Sequence, residues 1–239
     1  MAFKRTIDIV LGAALAVLAL PMIVLLAIGC AISLRAWPFY VSPRIGKRGR
    51  RFGLPKLRTL RPSVSGTATK YELDQSQIPR YCQILRRTHL DELPQLLLVP
   101  IGAMSLVGPR PEMPCLLSRY PDEVVAVRTS MRPGCTGLWQ VSDASRMLIH
   151  ESPEFDLAYI EHCNLGLDLW ILYRTALIGL TGRADATLAD VPAWAWRTAA
   201  APSVGRGFDP ATEPVLDLPF LERLETLERM PTLSVDVDA

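Results

Sequence analysis

The chain contains no Cys-x-x-Cys pair, no internal repeat and, between Asp8 and Arg35, no charged side chain. Its five cysteines, Cys30, Cys82, Cys115, Cys135 and Cys163, are odd in number and widely separated. That spacing argues against a zinc cluster and against a disulfide framework, and suits a reducing compartment. With 49% hydrophobic and 21% charged residues over 239 positions, the composition excludes a disordered protein and leaves enough apolar material for one domain with appendages.

The charge-free block is the most distinctive feature present. Ile9 to Leu34 is mostly apolar and, as a straight helix, would extend about 39 Å at roughly 1.5 Å per residue, enough to cross a bilayer. A cleaved signal peptide would have a shorter apolar core. A simple span conflicts with Pro21, which removes a backbone donor in mid-helix, and with the flanks. Lys4 and Arg5 precede the block, and Arg35, Arg44, Lys47, Arg48, Arg50 and Arg51 follow it. Basic residues favour the cytoplasmic side, so both flanks point to one face. A re-entrant helix broken at Pro21, or a helix held in one leaflet, satisfies both.

The formal charge of +2 hides an asymmetry: residues 183–239 carry 5 basic and 10 acidic side chains, against 21 and 14 in the first 182. A basic body suits an anionic partner. Three regions are expected: residues 1–36 as membrane anchor, 37–182 as a cytoplasmic catalytic domain, and 183–239 as an acidic Ala/Pro-rich extension with one short amphipathic helix at Pro219 to Met230. Glycine-punctuated Trp37 to Leu60 reads as short strands, and Arg61 to Pro79 as a loop. Helical spacing follows through Ile84 to Leu97, Met113 to Arg128, Pro153 to Asn164 and Leu167 to Leu180. The fold class is α+β, mainly helical: an N-terminal re-entrant membrane helix, then a compact domain with short extended segments.

The densest chemistry lies between Arg86 and Arg110. Asp91 and Glu92 are adjacent carboxylates beside Arg86 and Arg87 at the start of an apolar helical stretch, with Pro94 in its first turn. The plain structural alternative is that Thr88 and Asp91 cap a helix. Neighbouring side chains on a helix diverge, so one carboxylate could attack an electrophile while the other holds a divalent cation. Magnesium takes carboxylate, phosphate and water oxygens. Lys56, Arg58, Arg110 and Arg132 add cations that could offset a diphosphate. Gly108 to Pro111 and Arg132 to Gly137 read as rigid, glycine-punctuated turns.

Together these segments resemble the bacterial sugar transferase family, the monotopic polyprenyl-phosphate phosphoglycosyl transferases. The resemblance starts at Lys4, Arg5 and Asp8 and runs through Arg44, Gly46, Gly49, Phe52, Lys56, Arg58 and Thr59. It continues with Leu85 to Gln95, Met104 to Pro111 and Arg132 to Val141, and ends at Phe155, Asp156, Tyr159 and Asp168. It implies transfer of sugar 1-phosphate from a nucleotide sugar, a UDP-sugar, to a polyprenyl phosphate, undecaprenyl phosphate. That step would begin lipid-linked glycan or exopolysaccharide assembly on the cytoplasmic face of the bacterial inner membrane. By the same resemblance Asp91 is the nucleophile that forms an aspartyl-phosphosugar intermediate, and Glu92 helps hold Mg2+ with Asp91. Lys56, Arg58, Arg86, Arg110 and Arg132 are then the phosphate or nucleotide contacts. Expected partners are these two substrates and membrane lipids, with no nucleic acid; a homo-oligomer is compatible.

The chain departs from the family pattern at Leu20, where a serine often precedes the proline, and at Ala144, where an arginine often follows Gln140 and Val141; Arg146 stands nearby. It lacks the several spans that precede this domain in longer relatives and so looks like a short form. Two other readings use the same residues: a hydrolase passing the aspartyl intermediate to water, and an anchored assembly protein without turnover.

Overall fold

The structure, a computed structural model, describes residues 2–62 and 78–196. Most of the loop expected at Arg61 to Pro79, the helix expected at Pro219 to Met230 and the rest of the chain beyond Trp196 lie outside the described residues. The described part is mainly helical with few strands, in keeping with an α+β class.

Helix α1 (Ala2–Leu34) carries the charge-free block. It stays helical through Pro21, so the break expected there does not interrupt the element. Pro21 lies on the exposed side of the helix; it removes one backbone donor and crowds the carbonyl four residues before it, costs that the element absorbs without ending. One face is buried along the whole length, through Asp8, Gly12, Ala16, Ile23, Ala27, Cys30 and Leu34. The opposite face is apolar and exposed, with Val10, Val17, Leu18, Leu25, Ile28 and Ile32. A helix that is apolar on both faces, with only one covered by protein, has the pattern of an element that rests in lipid.

Both ends of α1 dock on the same body. Near its start, Lys4 Nζ pairs with Asp168 Oδ2 at 2.6 Å, and Arg5 donates to the carbonyls of Val99 and Pro100 at 2.9 and 3.0 Å. Asp8 is buried and accepts from Ser105 Oγ (2.7 Å) and Leu106 N (3.0 Å). Near its end, Ile23, Ala27 and Cys30 pack with Leu57 and Leu85, and Tyr81 Oη donates to Leu26 O at 3.1 Å. Lys4 and Arg5 therefore dock on the same body as the far end of α1.

An antiparallel hairpin follows, β1 (Phe39–Ile45) with β2 (Arg51–Leu57), placing Tyr40 opposite Lys56. Helix α2 (Arg80–Arg87) leads into a 3-10 segment, Leu90–Leu98. Two short strands absent from the sequence reading, β3 (Ser105–Val107), just before the Gly108 to Pro111 turn, and β4 (Gly134–Thr136), within the Arg132 to Gly137 turn, pair in parallel. Helices α3 (Asp122–Arg128), α4 (Leu138–Val141), α5 (Glu154–His162) and α6 (Leu165–Thr181) complete the body. Its main core gathers Met104, Val107, Leu138, Val141, Tyr159, Leu167 and Ile171.

The packed body continues to Trp196 instead of ending at 182. Ala186, Val191 and Ala195 are buried in the main core, and Ala186 bridges to Ser142. Small and β-branched side chains supply this contact without helical periodicity, which is why composition alone reads the stretch as an extension.

The β3/β4 pair depends on missing side chains. A Cβ on Gly134 would lie 2.1 Å from the backbone nitrogen of Gly108, and one on Gly137 would lie 2.2 Å from the Gly108 carbonyl. These neighbours are backbone, so they cannot rotate away. Gly134→Ala is expected to destabilise by about 3 kcal/mol or more, which lowers the thermal midpoint by roughly 6 °C or more in a chain of this size. A midpoint within about 1 °C of wild type in a thermal melt contradicts this packing.

Candidate active site

The two carboxylates are presented by a deliberate change of chain direction. Thr88 closes α2 by donating from Oγ1 to Ile84 O at 2.9 Å. Thr88 thus caps the end of the preceding helix, not the start of the next. His89 then adopts a left-handed conformation with φ 56°, uncommon for a side chain with a Cβ. The 3-10 segment begins at Leu90, and its tighter winding sets successive side chains about 120° apart. Asp91 and Glu92 consequently face different surroundings.

Glu92 is clamped. Lys56 Nζ lies 2.6 Å from its Oε1, Arg110 Nη2 lies 2.8 Å from the same oxygen, and Arg110 Nη1 lies 3.3 Å from Oε2. Burial pushes its carboxyl up, but Arg110 and Lys56 outweigh burial and hold it well below the usual carboxylate range. Asp91 is 8% exposed and makes no hydrogen bond or ion pair with any described residue. Burial, helped by the charge of Glu92, pushes its carboxyl up to about 6 against the opposing influence of Lys56, Arg86 and Arg110. One carboxylate is therefore fixed and ionised, while its neighbour is unpaired and more basic.

The cations around the pair are themselves anchored. Arg86 Nη1 donates to Thr59 Oγ1 at 3.3 Å. Arg110 sits 5.9 Å over the Trp139 ring, and its carbonyl accepts from Arg128 Nη2 at 2.8 Å. Arg128 also contacts Tyr120 Oη (3.0 Å) and Asp156 (3.0 Å), and Tyr120 Oη donates to Glu112 Oε2 at 2.9 Å. Glu112, Tyr120 and Arg128 form a buried network that sequence reasoning missed. Glu112 stands one position past the motif that ends at Pro111, and only the fold brings it to Tyr120 and Arg128.

Of the expected site residues, Lys56, Arg86 and Arg110 surround Asp91 and Glu92. Arg58 turns away: it donates to the carbonyls of Trp37 (3.0 Å) and Phe39 (3.4 Å) and lies 5.8 Å over the Tyr40 ring, bracing the start of the hairpin. Arg132 donates from Nε to Gly102 O at 2.8 Å and lines a separate basic cavity. With Asp91 ionised, three cations face two carboxylates, an excess suited to an incoming phosphate.

Among the described residues no three His, Cys, Asp or Glu side chains converge on one point. A divalent ion here would find Asp91 and the less engaged Oε2 of Glu92. One or two carboxylates completed by phosphate and water oxygens is the donor set magnesium favours, so the residues fit that ion.

A sequence model of the bacterial sugar transferase family matches residues 1–182. Among curated relatives, an uncharacterized sugar transferase of Haemophilus influenzae is 37% identical over 190 residues, covering 72% of this chain and 40% of that protein. The exopolysaccharide production protein ExoY of Sinorhizobium fredii is 34% identical, covering 72% and 83%. The UDP-glucose:undecaprenyl-phosphate glucose-1-phosphate transferase of Caulobacter vibrioides is 34% identical, covering 72% and 67%. The chain thus spans less than half the length of the Haemophilus relative. With the match running from the start of α1 to just past α6, and with the paired carboxylates and their cations at its centre, the chain belongs to the bacterial sugar transferase family.

Proposed function

We propose that the protein transfers sugar 1-phosphate from a UDP-sugar to undecaprenyl phosphate, through a covalent intermediate on Asp91, and so begins lipid-linked glycan or exopolysaccharide assembly. The observation that carries this reading is the opposite state of two adjacent carboxylates: Glu92 held by Lys56 and Arg110, Asp91 unpaired beside the same cations. The Caulobacter relative, a UDP-glucose:undecaprenyl-phosphate glucose-1-phosphate transferase, supports the substrate pair. The basic flanks of α1 and its exposed apolar face support a place on the cytoplasmic side of the inner membrane.

In the first step an oxygen of ionised Asp91 attacks the phosphorus that bears the sugar. The bond from that phosphorus to the oxygen of UMP breaks, and UMP departs with the electron pair. An acyl phosphate joins Asp91 to sugar 1-phosphate. In the second step a phosphate oxygen of the lipid attacks the same phosphorus, the bond to Asp91 breaks, and the carboxylate is restored with a lipid diphosphate sugar as product. Lys56, Arg86 and Arg110 offset charge on the transferring group and orient it. Mg2+ belongs to this proposal, held by Asp91 and Glu92; when bound it neutralises charge on the phosphate oxygens.

A carboxyl near pKa 6 is about nine-tenths ionised at pH 7, so Asp91 is available as a nucleophile while more basic than an exposed aspartate. Three outcomes follow. Asp91→Asn is expected to form no covalent phosphosugar adduct, read by intact-protein mass after incubation with a UDP-sugar panel; wild-type adduct yield in that variant sinks the mechanism. Adduct formation in single turnover should rise about tenfold per pH unit along an acid limb that levels off at or below about 6, since Mg2+ on Asp91 favours its ionised form, whereas a rate that falls as pH rises from about 4 to about 7 excludes Asp91 as the titrating nucleophile. Glu92→Gln removes the neighbouring negative charge and frees Lys56 and Arg110 to approach Asp91. The acid limb should therefore move to lower pH, the rate fall about 100-fold, and half-saturating Mg2+ increase. An unchanged limb and metal titration would falsify the clamp.

A further inference from the structure

Arg132, expected beside the substrate phosphates, instead lines a cavity of about 290 Å³ with Lys47, Arg48, Arg50 and Phe52, floored by Gly102 and Ala103. Every charged residue lining it is basic. The side chains of Lys47, Arg48 and Arg50 make no hydrogen bond or ion pair with any described residue, whereas Arg5, Arg58, Arg110 and Arg128 are all engaged. Like charges crowded without counter-charge repel one another, and an anion in the cavity would relieve that.

The cavity is built, not a chance gathering of long side chains. The hairpin tip is fixed by backbone bonds from Arg48 N to Thr129 O at 2.7 Å, Gly46 N to Arg50 O at 2.8 Å and Ile45 N to Glu112 O at 3.0 Å. Arg48 itself is held left-handed at φ 59°, and Gly49 follows at φ 71°. Such strain persists where surrounding structure enforces it. The opposite wall is fixed by Arg132 Nε on Gly102 O. A preformed seat lowers the cost of ordering on binding.

Its position separates it from the chemistry. Phe52 and Lys56 lie four residues apart on one face of β2, about 13 Å at roughly 3.3 Å per residue. A phosphate in the cavity is thus far beyond the roughly 3 to 3.5 Å needed for attack by Asp91. The floor instead adjoins the beginning of α1. Arg5 reaches the loop around Gly102 by donating to the Val99 and Pro100 carbonyls. Beside it, Ile101 is 74% exposed and Phe3 is 70% exposed. Here cationic Lys4 and Arg5 give way to the apolar face of α1, the level at which lipid phosphates meet acyl chains.

We infer that this cavity seats the phosphate of an anionic membrane phospholipid that is bound but not consumed. Lys47, Arg48, Arg50 and Arg132 surround the phosphate, and the exposed Ile101 meets the start of its chains. The inference rests on the lipid-facing reading of α1 and is independent of the chemistry assigned to Asp91. It also gives the basic flank after α1 a defined ligand in place of a diffuse attraction.

The test is native mass spectrometry of the full chain in detergent, titrated with phosphatidylglycerol or phosphatidylcholine. Wild type is expected to retain phosphatidylglycerol preferentially. The triple variant Lys47→Gln/Arg48→Gln/Arg50→Gln should bind it about 100-fold more weakly, at roughly fivefold per cation near a membrane surface. Arg50→Gln alone, an exposed side chain outside the core, should show the fivefold step if the triple variant melts early. Asp91→Asn should retain the lipid like wild type, which keeps this result separate from the transfer reaction. Equal lipid retention by wild type and both hairpin variants overturns the assignment. So does displacement by millimolar UMP, which makes the cavity a nucleotide subsite, or by millimolar inorganic phosphate, which makes it a free-anion site.

Discussion

Glu92 is the point on which the site's geometry depends. Its carboxylate joins three stretches that are distant in sequence: Lys56 from β2, the 3-10 segment itself, and Arg110 beyond β3. Charges partly withdrawn from water are costly unless each finds its partner, and removing one leaves the others uncompensated. The clamp therefore fixes where hairpin, carboxylates and Arg110 stand relative to one another. It also decides what Asp91 can do. Because Glu92 absorbs the two nearest cations, the aspartate beside it stays unpaired, and burial together with the charge of Glu92 raises its pKa. Two carboxylates pushed apart in this way are how one site obtains two roles from one residue class.

The clamp is held from behind on two sides. Arg110 is fixed at its backbone by Arg128 and rests against Trp139, so its fork cannot swing freely toward Asp91. On the other side the 3-10 segment lies along α1. Gly12 lets Val99 approach so closely that a Cβ there would be 2.5 Å from Val99 Cγ1, while Leu90 and Leu93 pack with Ile23 and Ala27. Lys4, Arg5 and Asp8 pin the start of the helix to α6, to the Val99–Pro100 turn and to β3. The charged residues before the apolar block therefore act as docking contacts.

Much of this was legible in the sequence, because local chemistry and order along the chain coincide with the final contacts. The charge-free block, the strands around Gly46 to Gly53, the last apolar helix and the Asp91/Glu92 pair all correspond to elements in the structure. What was not legible depends on tertiary partners. Helical spacing from Leu90 to Leu97 does not distinguish an α-helix from the 3-10 winding that forms between His89 and Val99. The β3/β4 pair is hidden in glycine-rich turns because its strands are three residues each and gain their stability from close backbone approach. Arg58 and Arg132 carry the same charge as Lys56 and Arg110, and charge alone does not reveal which carbonyl or carboxylate a guanidinium will meet. Ala186 and Ala195 gave no apolar signal yet are buried, since small side chains fit where larger ones would not.

The relation between α1 and the carboxylates constrains how a lipid-borne acceptor would meet Asp91. The buried face of α1 runs under the 3-10 segment, and its exposed face is apolar over most of its length. The 3-10 segment that carries Asp91 thus lies across α1 from that exposed apolar face. If that face rests in lipid, as proposed, an acceptor phosphate on a long apolar chain would reach the site from the α1 side, and a water-soluble donor from the side away from α1. In the proposed reaction the two substrates would use different approaches and meet at a single carboxylate, which favours sequential use of Asp91 by donor and acceptor.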